Sequence, residues 1–189
     1  MKNNMTTGEV TILSFLLGGE GRRKYNAPVG GKTRLVKELF ILEKAYGVET
    51  GYDFIPYYFG PFAPEIYRDL ASLRALKLIE IEPGVSGDDI SLTPRGVTLA
   101  NEVSTELPKS IPDRIAKCKE KYNSISLNEL IDYVYKHWPK YTDRSLTDPN
   151  NILKELKAEF DRVGITDEDI GEAIEDYRKE KKSRANECV

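Results

Sequence analysis

Ile79-Glu80-Ile81-Glu82-Pro83-Gly84-Val85-Ser86-Gly87-Asp88-Asp89-Ile90-Ser91-Leu92 is the stretch whose reading decides the fold. Ile79-Glu80-Ile81 and Ile90-Ser91-Leu92 alternate apolar and polar residues, as half-buried strands do. Pro83 to Asp89 between them reads as a turn segment, so the stretch is a β-hairpin. What precedes it is helical. From Thr33 to Tyr46, Leu35, Val36, Leu39, Phe40 and Leu42 gather on an apolar side, and Gly47 is a natural C-terminal glycine. Pro64 suits the first position of a further helix, Glu65 suits its positive end, and Ile66, Leu70 and Leu73 repeat at i, i+4 and i+7. Helix, turn, helix, hairpin is the element order of a winged helix, with the hairpin as wing. The expected fold class is mainly α with a small β-hairpin: a winged helix-turn-helix followed by a helical C-terminal part.

Outward from this segment the pattern stays helical. Thr6-Thr7-Gly8-Glu9 has capping-box spacing. Val10, Ile12, Leu13, Phe15, Leu16 and Leu17 then cover nearly every face, which predicts a buried first helix ending at Gly18-Gly19. Gly18 to Gly31 reads as a loop. Tyr52 to Phe62 is aromatic and extended, with a turn expected at Gly60-Pro61. Thr93-Pro94 opens a helix to about Val103. Pro108 and Pro112 mark the expected boundary to a second part. There Ile111, Ile115, Cys118 and Tyr122 share one face, and Ser126-Leu127-Asn128-Glu129 caps a helix carrying Leu130, Ile131, Val134 and Trp138. Two more helices are expected from Asp148-Pro149 and from Thr166. The expected domains are a winged helix over 1–107, a helical domain over 108–178 and a polar, disordered tail over 179–189.

Composition narrows the function classes. The chain has 189 residues, 28 Lys and Arg against 31 Asp and Glu, and a formal net charge of −3. A dedicated non-specific nucleic-acid binder is usually strongly basic, so the balance argues mildly against that class, while leaving room for a local basic patch. No run approaches the roughly 18–20 apolar residues of a membrane span, and the start lacks a signal-peptide pattern. A cytoplasmic protein with no membrane association is expected. Two cysteines, Cys118 and Cys188, make no disulfide framework and match no zinc-site spacing.

Three segments carry a family resemblance. Gly31-Lys32-Thr33-Arg34-Leu35-Val36-Lys37-Glu38-Leu39-Phe40-Ile41-Leu42 resembles the helix that opens YwgA-like proteins. Tyr57-Tyr58-Phe59-Gly60-Pro61-Phe62-Ala63-Pro64-Glu65-Ile66-Tyr67-Arg68-Asp69-Leu70 resembles that family's aromatic Gly-Pro-aromatic signature, which has a relative in the phage-associated Panacea antitoxin family. Ile131-Asp132-Tyr133-Val134-Tyr135-Lys136-His137-Trp138-Pro139-Lys140-Tyr141-Thr142 resembles the YwgA-like downstream segment. The resemblance covers roughly Thr7 to Ser145. It implies a winged-helix-like fold and little about activity, although Panacea domains are associated with neutralising toxins by protein contact. Ala63 departs from the pattern, since it stands at a helix cap where Ser is expected and alanine cannot cap.

No catalytic constellation emerges, so the chain reads as a non-enzyme without metal or cofactor. Gly30-Gly31-Lys32-Thr33 follows a loop instead of a strand, and Asn26 stands where a phosphate loop needs glycine. His137 borders an apolar stripe without a partner pattern, and Cys118 lies on the apolar face of its helix. The carboxylate pairs Glu65/Asp69 and Glu155/Glu159 suit solvated helix faces. Two binding readings remain. Arg22, Arg23, Lys24, Lys32, Arg34 and Lys37 form the most basic stretch and, with Arg68 and Arg74 on the third helix, are the candidate DNA contacts. Tyr57, Tyr67, Ala71, Ser72 and Ala75 are the candidate protein contacts, and the small Ala71, Ser72 and Ala75 suit close packing against another surface. Most rings of Tyr52 to Phe62 are expected in the core, with Tyr57 the best candidate for an exposed one. Glu65 and Asp69 on the third helix are expected to repel phosphate, and the wing tip, with Asp88 and Asp89, carries no basic residue. The function expected is a DNA-binding transcriptional regulator, homodimeric; the alternative is a protein-interaction module of antitoxin or adaptor type.

Overall fold

Thr6 starts the first helix as its spacing predicts. Its hydroxyl accepts from the Glu9 N–H at 3.0 Å while the Glu9 carboxylate accepts from the Thr6 N–H at 3.0 Å, closing a capping box at the head of α1 (Thr7–Leu17). Ile12, Leu13, Phe15 and Leu16 have no solvent exposure, so α1 is the central helix. The computed structural model describes residues 5–18, 26–84 and 87–142 of the chain. Met1–Ser145 form one compact unit and Leu146–Val189 another. The two helices and the polar tail expected beyond 145 lie outside the described residues.

The described elements continue as β1 (Val29–Gly30), α2 (Lys32–Tyr46), β2 (Ile55–Tyr57), β3 (Gly60–Phe62), α3 (Pro64–Ala75), β4 (Ile79–Gly84), β5 (Gly87–Leu92), α4 (Pro94–Ser104), α5 (Ser110–Tyr122) and α6 (Leu127–His137). A short 3-10 turn, Pro139–Tyr141, follows. The molecule is therefore mainly α with small antiparallel sheets. The wing-like hairpin pairs Ile79 with Leu92 and Ile81 with Ile90, and it is longer than expected, because Pro83 and Asp88 still pair. Pro83 is tolerated since β4 is an edge strand in the order β1-β5-β4. β1 was hidden in what reads as a loop: two residues are too short for a periodic signal, yet Val29 pairs with Ile90 and is fully buried.

The aromatic segment is a second hairpin, β2–β3, in which Tyr57 pairs with Gly60. The turn is Tyr58-Phe59, and Gly60-Pro61, expected at the turn, lies in the returning strand. α3 buries Ile66, Leu70 and Leu73, and Ala63 makes no side-chain cap. At α4 the Thr93 hydroxyl accepts from the Gly96 N–H at 3.0 Å. Gly96 lies so close to the Leu78 carbonyl that a Cβ there would collide with backbone.

The boundary expected at Pro108 is not a boundary. α5 and α6 pack on α2, and Ile115, Cys118, Tyr122, Leu130 and Val134 belong to the same core as α1 to α4. Helices with a single apolar stripe need a surface to cover, and α2 presents one. No helix among the described residues is long and apolar enough to cross a membrane.

Candidate interaction surface on α3 and the aromatic hairpin

α2 decides which basic residues are available to a partner. Arg34, Lys37 and Glu38 are all buried in it. Arg34 donates to the carbonyls of Tyr122 and Ile125, each at 2.8 Å, and so ties α2 to the end of α5 and the loop beyond. Lys37 Nζ donates to the Pro61 carbonyl at 2.8 Å, anchoring the aromatic hairpin, and burial lowers its pKa to about 8. Lys119, on α5, donates to the Leu16 carbonyl at 2.6 Å, and burial lowers its pKa to about 8 as well. Arg34 and Lys37 are thus internal ties whose donors are spent on backbone carbonyls, and the expectation that they touch DNA phosphate is corrected. Arg22, Arg23 and Lys24 lie outside the described residues. Lys32 is half-buried at the first position of α2, while Arg68 and Arg74 are exposed on α3. Arg68 faces Glu65 at 3.8 Å, a loose and exposed ion pair.

The hairpin places large apolar side chains in solvent. Ile55, Tyr57, Tyr58 and Phe59 are 47%, 41%, 49% and 53% exposed, and Tyr67 of α3 is 40% exposed. Tyr58, Tyr57 and Tyr67 are linked through the half-buried Phe62. Tyr57 lies against Tyr58 with centroids 4.5 Å apart and stacks on Phe62 at 4.9 Å, and Phe62 meets Tyr67 at 5.5 Å. Burial of most rings in the core, the expectation for this segment, holds for Tyr52 and Phe54 and fails for Tyr58 and Phe59. A two-stranded ribbon whose tip extends past the core leaves its turn rings uncovered. The signal was legible: three successive rings cannot all face one side of a ribbon with a two-residue period.

On α3, Ala71 and Ala75 are exposed as expected of contact residues. With Lys32, Tyr67, Leu70, Arg74 and Ile81 they line a groove of about 490 Å³ between α3, the start of α2 and β4. Ser72 belongs elsewhere. Its hydroxyl donates to Glu9 at 2.6 Å, so it joins α1 to α3, and its expected role as a partner contact is corrected. Asp69 acts in the same junction, accepting from the Tyr52 hydroxyl at 2.8 Å, and burial raises its pKa.

The chain matches no family model and no curated protein.

Cys118 and His137 both have partners within the fold. Cys118 is buried and its thiol contacts the Glu38 carbonyl at 3.7 Å, and burial pushes its pKa up, away from the thiolate a nucleophile needs. His137 Nδ1 lies 2.8 Å from the Tyr133 carbonyl, within its own helix. No cluster of three or more His, Cys, Asp or Glu that could hold a metal ion occurs among the described residues.

Proposed function

We propose that this chain is a non-enzymatic protein-interaction module of winged-helix type, whose partner packs on α3 and the aromatic hairpin. The observation that carries the reading is the run of ring contacts that links the exposed Tyr58, Tyr57 and Tyr67 through the half-buried Phe62. An apolar patch of this kind marks an interaction site, and aromatic residues are the usual anchors of protein interfaces. The element order, with β1 and the β4–β5 wing around α2 and α3, supports the winged-helix assignment. The resemblance to YwgA-like proteins and to Panacea antitoxins agrees with a role in protein contact.

A DNA-binding regulator is the second reading, favoured by Arg68 and Arg74 exposed on the helix that would enter the major groove. The charge around them argues against it. Glu80, Glu82 and Asp88 are exposed on the wing, and Arg34 and Lys37 are withdrawn into the core. Capture from nuclease-treated cell extract separates the two readings. The wild-type chain retains a stoichiometric protein partner that a Tyr57→Ser, Tyr58→Ser, Phe59→Ser variant loses. Sequence-selective DNA binding that survives in this variant and disappears in Arg68→Ala, Arg74→Ala overturns the proposal.

A further inference from the structure

The groove beside α3 has a chemistry of its own. Tyr67, Leu70, Ala71, Ala75 and Ile81 supply apolar surface, and Lys32 and Arg74 supply charge. No carboxylate lines it, and neither cation has an ion-pair partner among the described residues. The volume, about 490 Å³, is that of an ordinary binding cleft, but the site is an open trough between two helices and an edge strand, the shape of a seat for a chain segment. Tyr67 belongs both to the trough and to the exposed aromatic run, so one partner can cover both.

Complementarity then fixes the occupant. An apolar side chain removes Tyr67, Ala71, Ala75 and Ile81 from water, and carboxylates meet Arg74 and Lys32 with charge-assisted hydrogen bonds. A phosphate backbone would satisfy the cations and leave the apolar floor uncovered. We infer that this groove docks a segment of another protein in which an aromatic or branched aliphatic side chain is flanked by Asp or Glu. The inference rests on the protein-interaction reading and names the chemistry of its partner.

Short random peptides displayed on phage and selected against the full-length chain test it. The enriched peptides are then synthesised with a fluorophore and titrated by anisotropy. Selected sequences carry a carboxylate next to an aromatic or aliphatic residue. Their binding weakens with salt and falls about tenfold in Arg74→Glu or Lys32→Glu. Both positions are outside the core, and Arg74→Ala is the milder variant should charge reversal disturb folding. Glu102→Ala, at an exposed position of α4 outside the groove and the aromatic run, leaves the binding unchanged. Enrichment of basic or uncharged peptides, or of none, overturns the inference. Peptides that lose binding in Tyr58→Ser and not in Arg74→Glu also overturn it, while leaving the aromatic run as an interaction site. Self-association of the wild type that Arg74→Glu abolishes, measured by sedimentation, makes the occupant a second copy and overturns it. Duplex DNA binding lost in the same variant overturns both the inference and the reading beneath it.

Discussion

Glu38 is fully buried, and neither oxygen of its carboxylate has a hydrogen-bond donor. Arg34 Nη1 stands 3.5 Å away, within ion-pair range but too long for a good hydrogen bond, because Arg34 is drawn to two carbonyls. Burial pushes the Glu38 pKa up to about 8, against the pull of Arg34 and Lys119. Between its ordinary value of 4.5 and about 8, the folded protein then holds a proton that the unfolded chain has released. Stability therefore falls as pH rises through that window. Lys37 and Lys119, lowered from 10.5 to about 8, act in the opposite sense above pH 8, where the unfolded chain binds more protons and stability rises. Urea denaturation across this range should show a minimum near pH 8. Glu38→Gln should remove the decline on the acid side, worth on the order of a few kcal/mol. Equal slopes in wild type and variant would contradict it. The sequence held a clue to this cluster. Ile41 lies seven, four and three residues after Arg34, Lys37 and Glu38, in the middle of the helix face they form. An apolar residue centred on a charged face signals that the charges are buried too.

At the scale of elements, caps and stripes were the legible part. Thr6 and Ser126 close capping boxes and Thr93 caps ahead of Pro94, as their patterns predict, because a helix cap is a local interaction that the sequence writes out in full. The aromatic hairpin was less legible, since a ribbon's turn depends on what its strands pack against. Here Lys37 holds the Pro61 carbonyl, and Gly60 sits at φ 83° with the Tyr135 ring 2.9 Å from where a Cβ would stand. Gly60→Ala combines a disfavoured backbone with that collision, so it should destabilise the fold by about 1–3 kcal/mol in urea. Tyr58→Ser at the exposed tip should change stability by less than about 0.5 kcal/mol. The pair divides the hairpin into a base that serves the fold and a tip left free for the proposed partner. A large loss of stability in Tyr58→Ser would mean that the tip is covered within the molecule.

At the scale of the whole molecule, two prolines suggest an ending that packing overrules. Pro108 and Pro112 stop one helix and start another, but a local break says nothing about which surface the next helix covers. α5 brings Ile115, Cys118 and Tyr122 onto the core, α6 adds Leu130 and Val134, and Trp138 meets Phe40 with centroids 5.2 Å apart. The polar ties run the same way, from Arg34 to Tyr122 and Ile125 and from Lys119 to Leu16. A chain ending at Leu107 would uncover Phe40 of α2, which meets Trp138 and Tyr141, and remove the carbonyls that accept from Arg34. Apolar surface returned to water forfeits the burial that is the main favourable term in folding. Residues 1–107 should therefore lack a cooperative thermal transition by circular dichroism, whereas residues 1–145 should retain one. A cooperative transition in the shorter fragment would restore the independent winged-helix domain that the prolines suggest. Its loss would mean that α1 to α4 depend on α5 and α6 for their folding, so the surface proposed for a partner on α3 and its C-terminal support act as one unit.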